Sequence, residues 1–152
     1  MKTDKFFIMK IVIGSDHRGY PLKEDLINYF KETSIDYKDV GTNSTDSVDY
    51  PDYAKMVGNS IVNEGYDFGV LICGSGIGVS IAANKVKGLR AVNANNNNMA
   101  EMARKHNNAN VICFGSDFID IDKAKRFLEI FINTEFESGE RHLRRIQKLE
   151  NN

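Results

Sequence analysis

Five short runs rich in β-branched residues punctuate the chain: KIVIG (10–14), DYKDV (36–40), FGVLIC (68–73), LRAVN (89–93) and ANVICF (109–114). Stretches of helical period fill the gaps, and parallel strands need crossovers long enough to hold a helix, so the alternation predicts an α/β fold with a mostly parallel sheet. Leu22, Leu26, Ile27 and Phe30 repeat at helical spacing after the first run, and Tyr53, Val57 and Ile61 do so after Pro51. Further helices are predicted over 78–86, 97–107, 121–133 and 139–150. No Pro/Ser-rich linker or long-period repeat divides them, so residues 1–152 read as one domain. Met9 offers an alternative start, which leaves residues 1–8 as a short extension.

Charge and apolar patterning exclude several classes of function. The net charge is −1 and no long basic run occurs, so the footprint of sequence-independent nucleic-acid binding is missing. No stretch is long enough to cross a bilayer, and the N-terminal apolar segment is broken by lysine and lacks a small-residue cleavage site. The two cysteines, Cys73 and Cys113, sit in apolar strand-like runs without paired spacing, which fits a reducing cytoplasm.

Three strand ends share one chemistry. IGSD (13–16), CGSG (73–76) and FGSD (114–117) each place Gly-Ser directly after a strand. In a parallel sheet those ends line one edge, where open α/β sheets bind ligands; as single occurrences they are also ordinary turn chemistry. The middle one opens ICGSGIGVSIAANK (72–85), whose G-x-G-x-G spacing is not the dinucleotide fingerprint, and no acidic ribose partner follows before Glu101. Lys85 is too far from the glycines for a P-loop. What remains is a loop of bare backbone amides before a helix N-terminus, suited to an anion, with a thiol at its mouth.

Cys73, near a helix N-terminus, is placed to be a base or nucleophile, whereas a strand position alone would make it a small buried hydrophobe like Cys113. Other polar candidates also sit at element ends: Asp16 and His17 after the first strand, Tyr50 before Pro51, and His106 with Asn107 where the fourth helix stops. His106 shares a face with Met99, Met102 and Ala103, as a packing or capping histidine does. In ERHLRRIQKLE, Arg141 and Arg145 lie four apart on one helical face, with Leu143, Ile146 and Leu149 on another. Two arginines so spaced form either a solvated face or a phosphate clamp.

Taken together, KIVIGSDHRGYPLK (10–23), DVGTNSTDSVDYPDYA (39–54), ICGSGIGVSIAANKVKGLRAV (72–92), ARKHNNANVICFGS (103–116) and GERHLRRI (139–146) resemble the ribose-5-phosphate isomerase B family. That family also holds allose-6-phosphate isomerase and the galactose-6-phosphate isomerase subunits. The resemblance spans nearly the whole chain and implies a three-layer α/β/α Rossmann-like fold with a five-stranded parallel sheet of order 2-1-3-5-4. It implies a homodimer, or a dimer of dimers, with the site at the subunit interface and the C-terminal helix (139–150) reaching the partner.

The implied reaction is a metal-independent, cofactor-free aldose–ketose interconversion, ribose 5-phosphate to ribulose 5-phosphate, in the non-oxidative pentose phosphate pathway. By the family's pattern Cys73 is the base, acting through a cis-enediolate. Ser75 and the amides of Gly74, Gly76, Ile77 and Gly78 stabilise the enediolate oxygen, and His106 helps open the furanose ring. Asp16 holds sugar hydroxyls, and His17 with the partner's Arg141 and Arg145 binds phosphate, while Tyr50 and Asn107 line the site. Two positions depart from the pattern: Asp117 stands where many members carry a phosphate-contacting arginine, and Asn98 replaces a tyrosine. An acid at 117 repels a dianion unless it points away, and Arg144 is a candidate to compensate. The alternatives are a six-carbon sugar-phosphate isomerase, a thiol hydrolase with Cys73 as nucleophile and His106 as base, and a phosphate- or nucleotide-binding regulatory module.

Overall fold

The structure, a computed structural model, describes residues 9–151; the reading of residues 1–8 as an extension lies outside the described residues. Five parallel strands, β1 (Lys10–Ser15), β2 (Asp36–Asp39), β3 (Phe68–Cys73), β4 (Ala91–Asn93) and β5 (Val111–Gly115), form one sheet of order β2-β1-β3-β5-β4. Helices α1 (Tyr20–Glu32), α2 (Tyr50–Glu64), α3 (Ile77–Asn84), α4 (Asn97–Asn107), α5 (Ile121–Asn133) and α6 (Glu140–Glu150) complete it. The expected fold class and strand order are those observed.

Alternation along the strands builds the two faces. Ile11, Ile13, Val70, Ile72, Ile112 and Phe114 point into one layer with α1, α4 and α5. Val12, Leu71, Cys73, Val111 and Cys113 point into the other, against α2 and α3. The cores of the central strands, Ile11–Ile13, Val70–Cys73 and Val111–Phe114, are apolar without interruption because both faces are covered, and burying each large side chain contributes roughly 1.5–3 kcal/mol.

Element ends moved where side chains intervened. β4 begins at Ala91 rather than residue 89, since the Leu89 amide closes on Val86 O and the Arg90 amide donates to the Asn110 side chain. α3 starts at Ile77 and stops at Asn84, whose side chain accepts from the Ala91 amide (2.8 Å) and donates to Ala91 O (3.0 Å). Asn84 thus occupies hydrogen-bonding groups of the edge strand β4, which shields that edge from foreign strands.

The sheet reverses direction of build between β1 and β3. The loops leaving those two strands therefore diverge, one to α1 on one face and one to α3 on the other, and open the crevice where such folds hold ligands.

Candidate active site

β3 ends at Cys73 beside that crevice. The Gly76 amide donates to Cys73 Sγ at 3.2 Å, so the loop curls a backbone N–H onto the sulfur. The curl requires glycine at 76: its φ is +77°, and a Cβ there would collide with Asn93 Oδ1. The Ile77 amide donates to Ser75 Oγ at 3.1 Å, while the amides of Gly74, Ser75 and Gly78 meet no acceptor among the described residues. Those free donors, with α3 behind them, are what an oxyanion needs. The Tyr50 ring covers Gly78, with Cζ 2.7 Å from where a Cβ would stand.

β1 supplies the facing wall. Asp16, 6% exposed, accepts from the amides of Arg18 (2.9 Å) and Gly19 (3.0 Å), and its own amide donates to Ile72 O (3.1 Å) next to Cys73. His17 Nδ1 accepts from the Val48 amide at 3.2 Å, which leaves Nε2 as the outward, proton-bearing nitrogen of the neutral ring. Fully buried Lys23 donates to both oxygens of Asp39 (2.9 and 2.8 Å), and Asp39 accepts from the Gly41 amide (2.8 Å), which anchors the loop leading to Val48.

The two cysteines lie on neighbouring strands two register positions apart, in different environments. Burial pushes the Cys113 thiol far above its ordinary range, with the nearby Cys73 adding to the shift. Cys113 is an inert filler, as the sequence suggested.

Asp117 answers the first departure. Rather than standing bare, its carboxylate takes both oxygens to Arg18 Nη2 at 2.7 Å. Arg144 is exposed on α6, away from this pair. Asn98 is exposed in the first turn of α4.

His106, Asn107, Arg141 and Arg145 lie elsewhere. α4 runs antiparallel to the strands, so it begins at the carboxyl edge of the sheet and ends at the amino edge. Its end is fixed there because Asn110 O accepts from the Gly69 amide at the start of β3 (2.8 Å). Cys73 is four residues further along β3, about 13 Å away at strand rise. Within one chain, then, Cys73, Ser75, Asp16, His17 and Tyr50 gather at one edge, and His106 and Asn107 at the other.

α6 joins the second group. Arg90 binds Glu150 at 3.2 Å and donates to the carbonyls of Asn107 (3.0 Å) and Asn108 (2.8 Å), which ties the end of α6 to the end of α4. The His106 ring stacks on His142 with centroids 4.5 Å apart and planes at 14°, and its Nε2 is 3.6 Å from Glu137 Oε1. Ligand atoms of this trio lie within 4.8 Å of one another, but nearly parallel imidazole planes do not converge their lone pairs on one ion. Arg141 and Arg145 are exposed and have no carboxylate within 4 Å among the described residues. Of the apolar stripe on α6 only Ile146 is buried; Leu143 and Leu149 are exposed, and Leu149 borders a groove of about 370 Å³ lined by Val92, Met99 and Met102.

Sequence reasoning passed over Arg18 and Asn93. Arg18 was readable only through Asp117, a partner 99 positions away. Asn93 ends β4 and donates weakly to Ser75 O (3.5 Å), and its Oδ1 is buried without a donor.

The family model for ribose/galactose isomerase matches residues 11–149. The chain belongs to that family. It is 38% identical over 140 residues to ribose-5-phosphate isomerase B of Escherichia coli, covering 92% of this chain and 93% of that protein. Among solved structures it is similar to a ribose 5-phosphate isomerase of Thermotoga maritima, with TM-score 0.92, 45% identity, and 95% and 99% of the two chains covered. Ribose-5-phosphate isomerase B of Clostridium thermocellum gives TM-score 0.90 at 41% identity, covering 94% and 96%. Family membership makes the chain an isomerase, which sets aside the hydrolase and regulatory-module readings. Among the described residues no helix is long and apolar enough to cross a membrane.

Proposed function

We propose that this chain interconverts ribose 5-phosphate and ribulose 5-phosphate in the cytoplasm, as part of the pentose phosphate pathway. The single observation that carries the mechanism is the Cys73 sulfur held by the Gly76 amide beside a row of free amides. In the open-chain aldose, Cys73 takes the proton from C2, the electrons move into a cis-enediolate, a proton passes from the C2 oxygen to the C1 oxygen, and the same thiol returns the carbon-bound proton to C1. Gly74, Ser75, Gly76, Ile77 and Gly78 meet the growing oxygen charge; one such donor is worth about 2.7–4 kcal/mol of transition-state stabilisation. Asp16 holds sugar hydroxyls, Tyr50 lines the cavity together with the partner's Asn107, and His17 takes the phosphate through Nε2. No metal or cofactor enters these steps.

His106 exchanges a proton with the furanose ring, and Arg141 and Arg145 hold the phosphate. Because these three are at the amino edge, they serve the Cys73 of a second copy, and the functional unit is a homodimer or a pair of dimers with α6 crossing between subunits. The exposed apolar groove beside α6 supports this arrangement.

The test supplies ribose 5-phosphate with chelator present and follows ribulose 5-phosphate, beside Cys73→Ala. Allose 6-phosphate and galactose 6-phosphate run in parallel as the six-carbon alternatives. Higher kcat/KM on either six-carbon sugar would transfer the assignment to it, and unchanged conversion by Cys73→Ala would remove the thiol from the chemistry.

A further inference from the structure

Arg18 is fixed at both its backbone and its guanidinium. Its amide donates to Asp16 Oδ1 (2.9 Å), and its carbonyl accepts from Ser116 Oγ (3.0 Å). From there the side chain turns back over the glycine loop, its Nε, Cζ and Cδ standing 2.9–3.3 Å from where a Cβ of Gly74 would be. Nη2 ends between the two oxygens of Asp117. Asp117 is itself set by its amide, which donates to Gly74 O at 2.9 Å.

An exposed ion pair is ordinarily worth little, because two long side chains must be frozen for it. Here the glycine seat and the backbone bonds have already ordered the arginine. A guanidinium has five N–H donors, and Asp117 engages only those of Nη2. Nε and Nη1 meet no acceptor among the described residues, and the side chain is 58% exposed at the mouth of a loop rich in free amides.

Asp117 alone would oppose any anion entering that mouth. Paired, it becomes the handle that aims a cation. Nη2 belongs to both of the two-donor edges of the guanidinium, so what the pairing leaves free is the N–H of Nε and the donors of Nη1, each able to give a charged hydrogen bond to a phosphate oxygen.

We propose that Arg18, aimed by Asp117 across Gly74, is a substrate-binding residue that gives its free Nε and Nη1 donors to the phosphate of the sugar. The inference rests on the sugar-phosphate reading above and adds to it a cation from the same chain as Cys73. The two β-strand ends flanking β3 thereby cooperate: β1 provides the donor and β5 the residue that orients it.

The experiment measures inorganic phosphate binding by calorimetry to the intact protein, Arg18→Gln and the double variant Arg18→Gln/Asp117→Asn, with thermal melts to verify folding. Arg18→Gln weakens phosphate binding about tenfold or more, as expected for loss of a charged hydrogen bond, and the double variant keeps that loss. With sugar phosphate as substrate, KM rises in step while kcat changes less. Recovery of wild-type affinity in the double variant would mean that Arg18 only neutralises Asp117, and would overturn the proposal. Unchanged binding by Arg18→Gln, or no phosphate binding by the wild type, would overturn it as well. Should the wild type bind phosphate yet turn over no sugar phosphate, the isomerase reading fails while the same comparison still decides the role of Arg18.

Discussion

Cys73 Sγ and the Gly76 amide are 3.2 Å apart, which makes the sulfur both the end of a strand and the first acceptor of the loop that follows. Cys73→Ser keeps a small acceptor there but replaces the thiol by a hydroxyl, a far weaker acid whose conjugate base is not available to take a carbon-bound proton. The expected result is a fall in kcat of about 10²–10⁴-fold with KM little changed, read from steady-state kinetics on ribose 5-phosphate.

Lys23 has no exposed surface and gives two hydrogen bonds to Asp39. Asp39→Leu leaves the buried Lys23 ammonium without that carboxylate and destabilises the fold by about 3–5 kcal/mol, measured by urea unfolding. Adding Lys23→Met recovers part of the loss and not all, because the Gly41 amide still has no acceptor.

The His142 imidazole is held below its ordinary titration range, first by partial burial and then by its neighbours His106 and Arg141, against an opposing pull from Glu137. Its folded value is depressed, so the folded protein resists protonating it and this contribution to stability is lost as pH falls through the free-histidine range. NMR titration of the ring should give a midpoint below that of free histidine. His106→Gln removes a like charge and moves the midpoint up.

Cys73 and His106 sit at opposite edges of one sheet, so two inactive variants should repair each other. Cys73→Ala and His106→Ala, unfolded together and refolded as a mixture, form mixed dimers with one intact site, and activity returns to about a quarter of the wild-type value. The double variant in a single chain, refolded with itself, stays inactive. Absence of rescue would count against a site shared between subunits.

The sheet was legible because its central strands carry apolar runs toward both faces, and the alternation with helical period leaves few topologies. The loop from Cys73 to Gly78 was legible for a related reason: glycines at alternate positions have few uses after a strand. Boundaries such as the start of β4 were not legible, since they depend on Asn84 and Asn110 substituting for backbone partners. Periodicity marked Leu143 and Leu149 as one stripe with Ile146, but period alone does not say whether a neighbour covers it, and in one chain only Ile146 is covered. Arg18 escaped notice because an ion pair between residues far apart in sequence leaves no local signal.

The seat of Arg18 also bears on how this chain can vary. Gly74 does not adopt a left-handed backbone, and what a methyl there would strike is the flexible end of Arg18. The requirement for glycine at 74 is therefore borrowed from its neighbour. In a background lacking Arg18 an alanine at 74 would pass unnoticed, whereas beside Arg18 it would displace the guanidinium, so the two positions are epistatic.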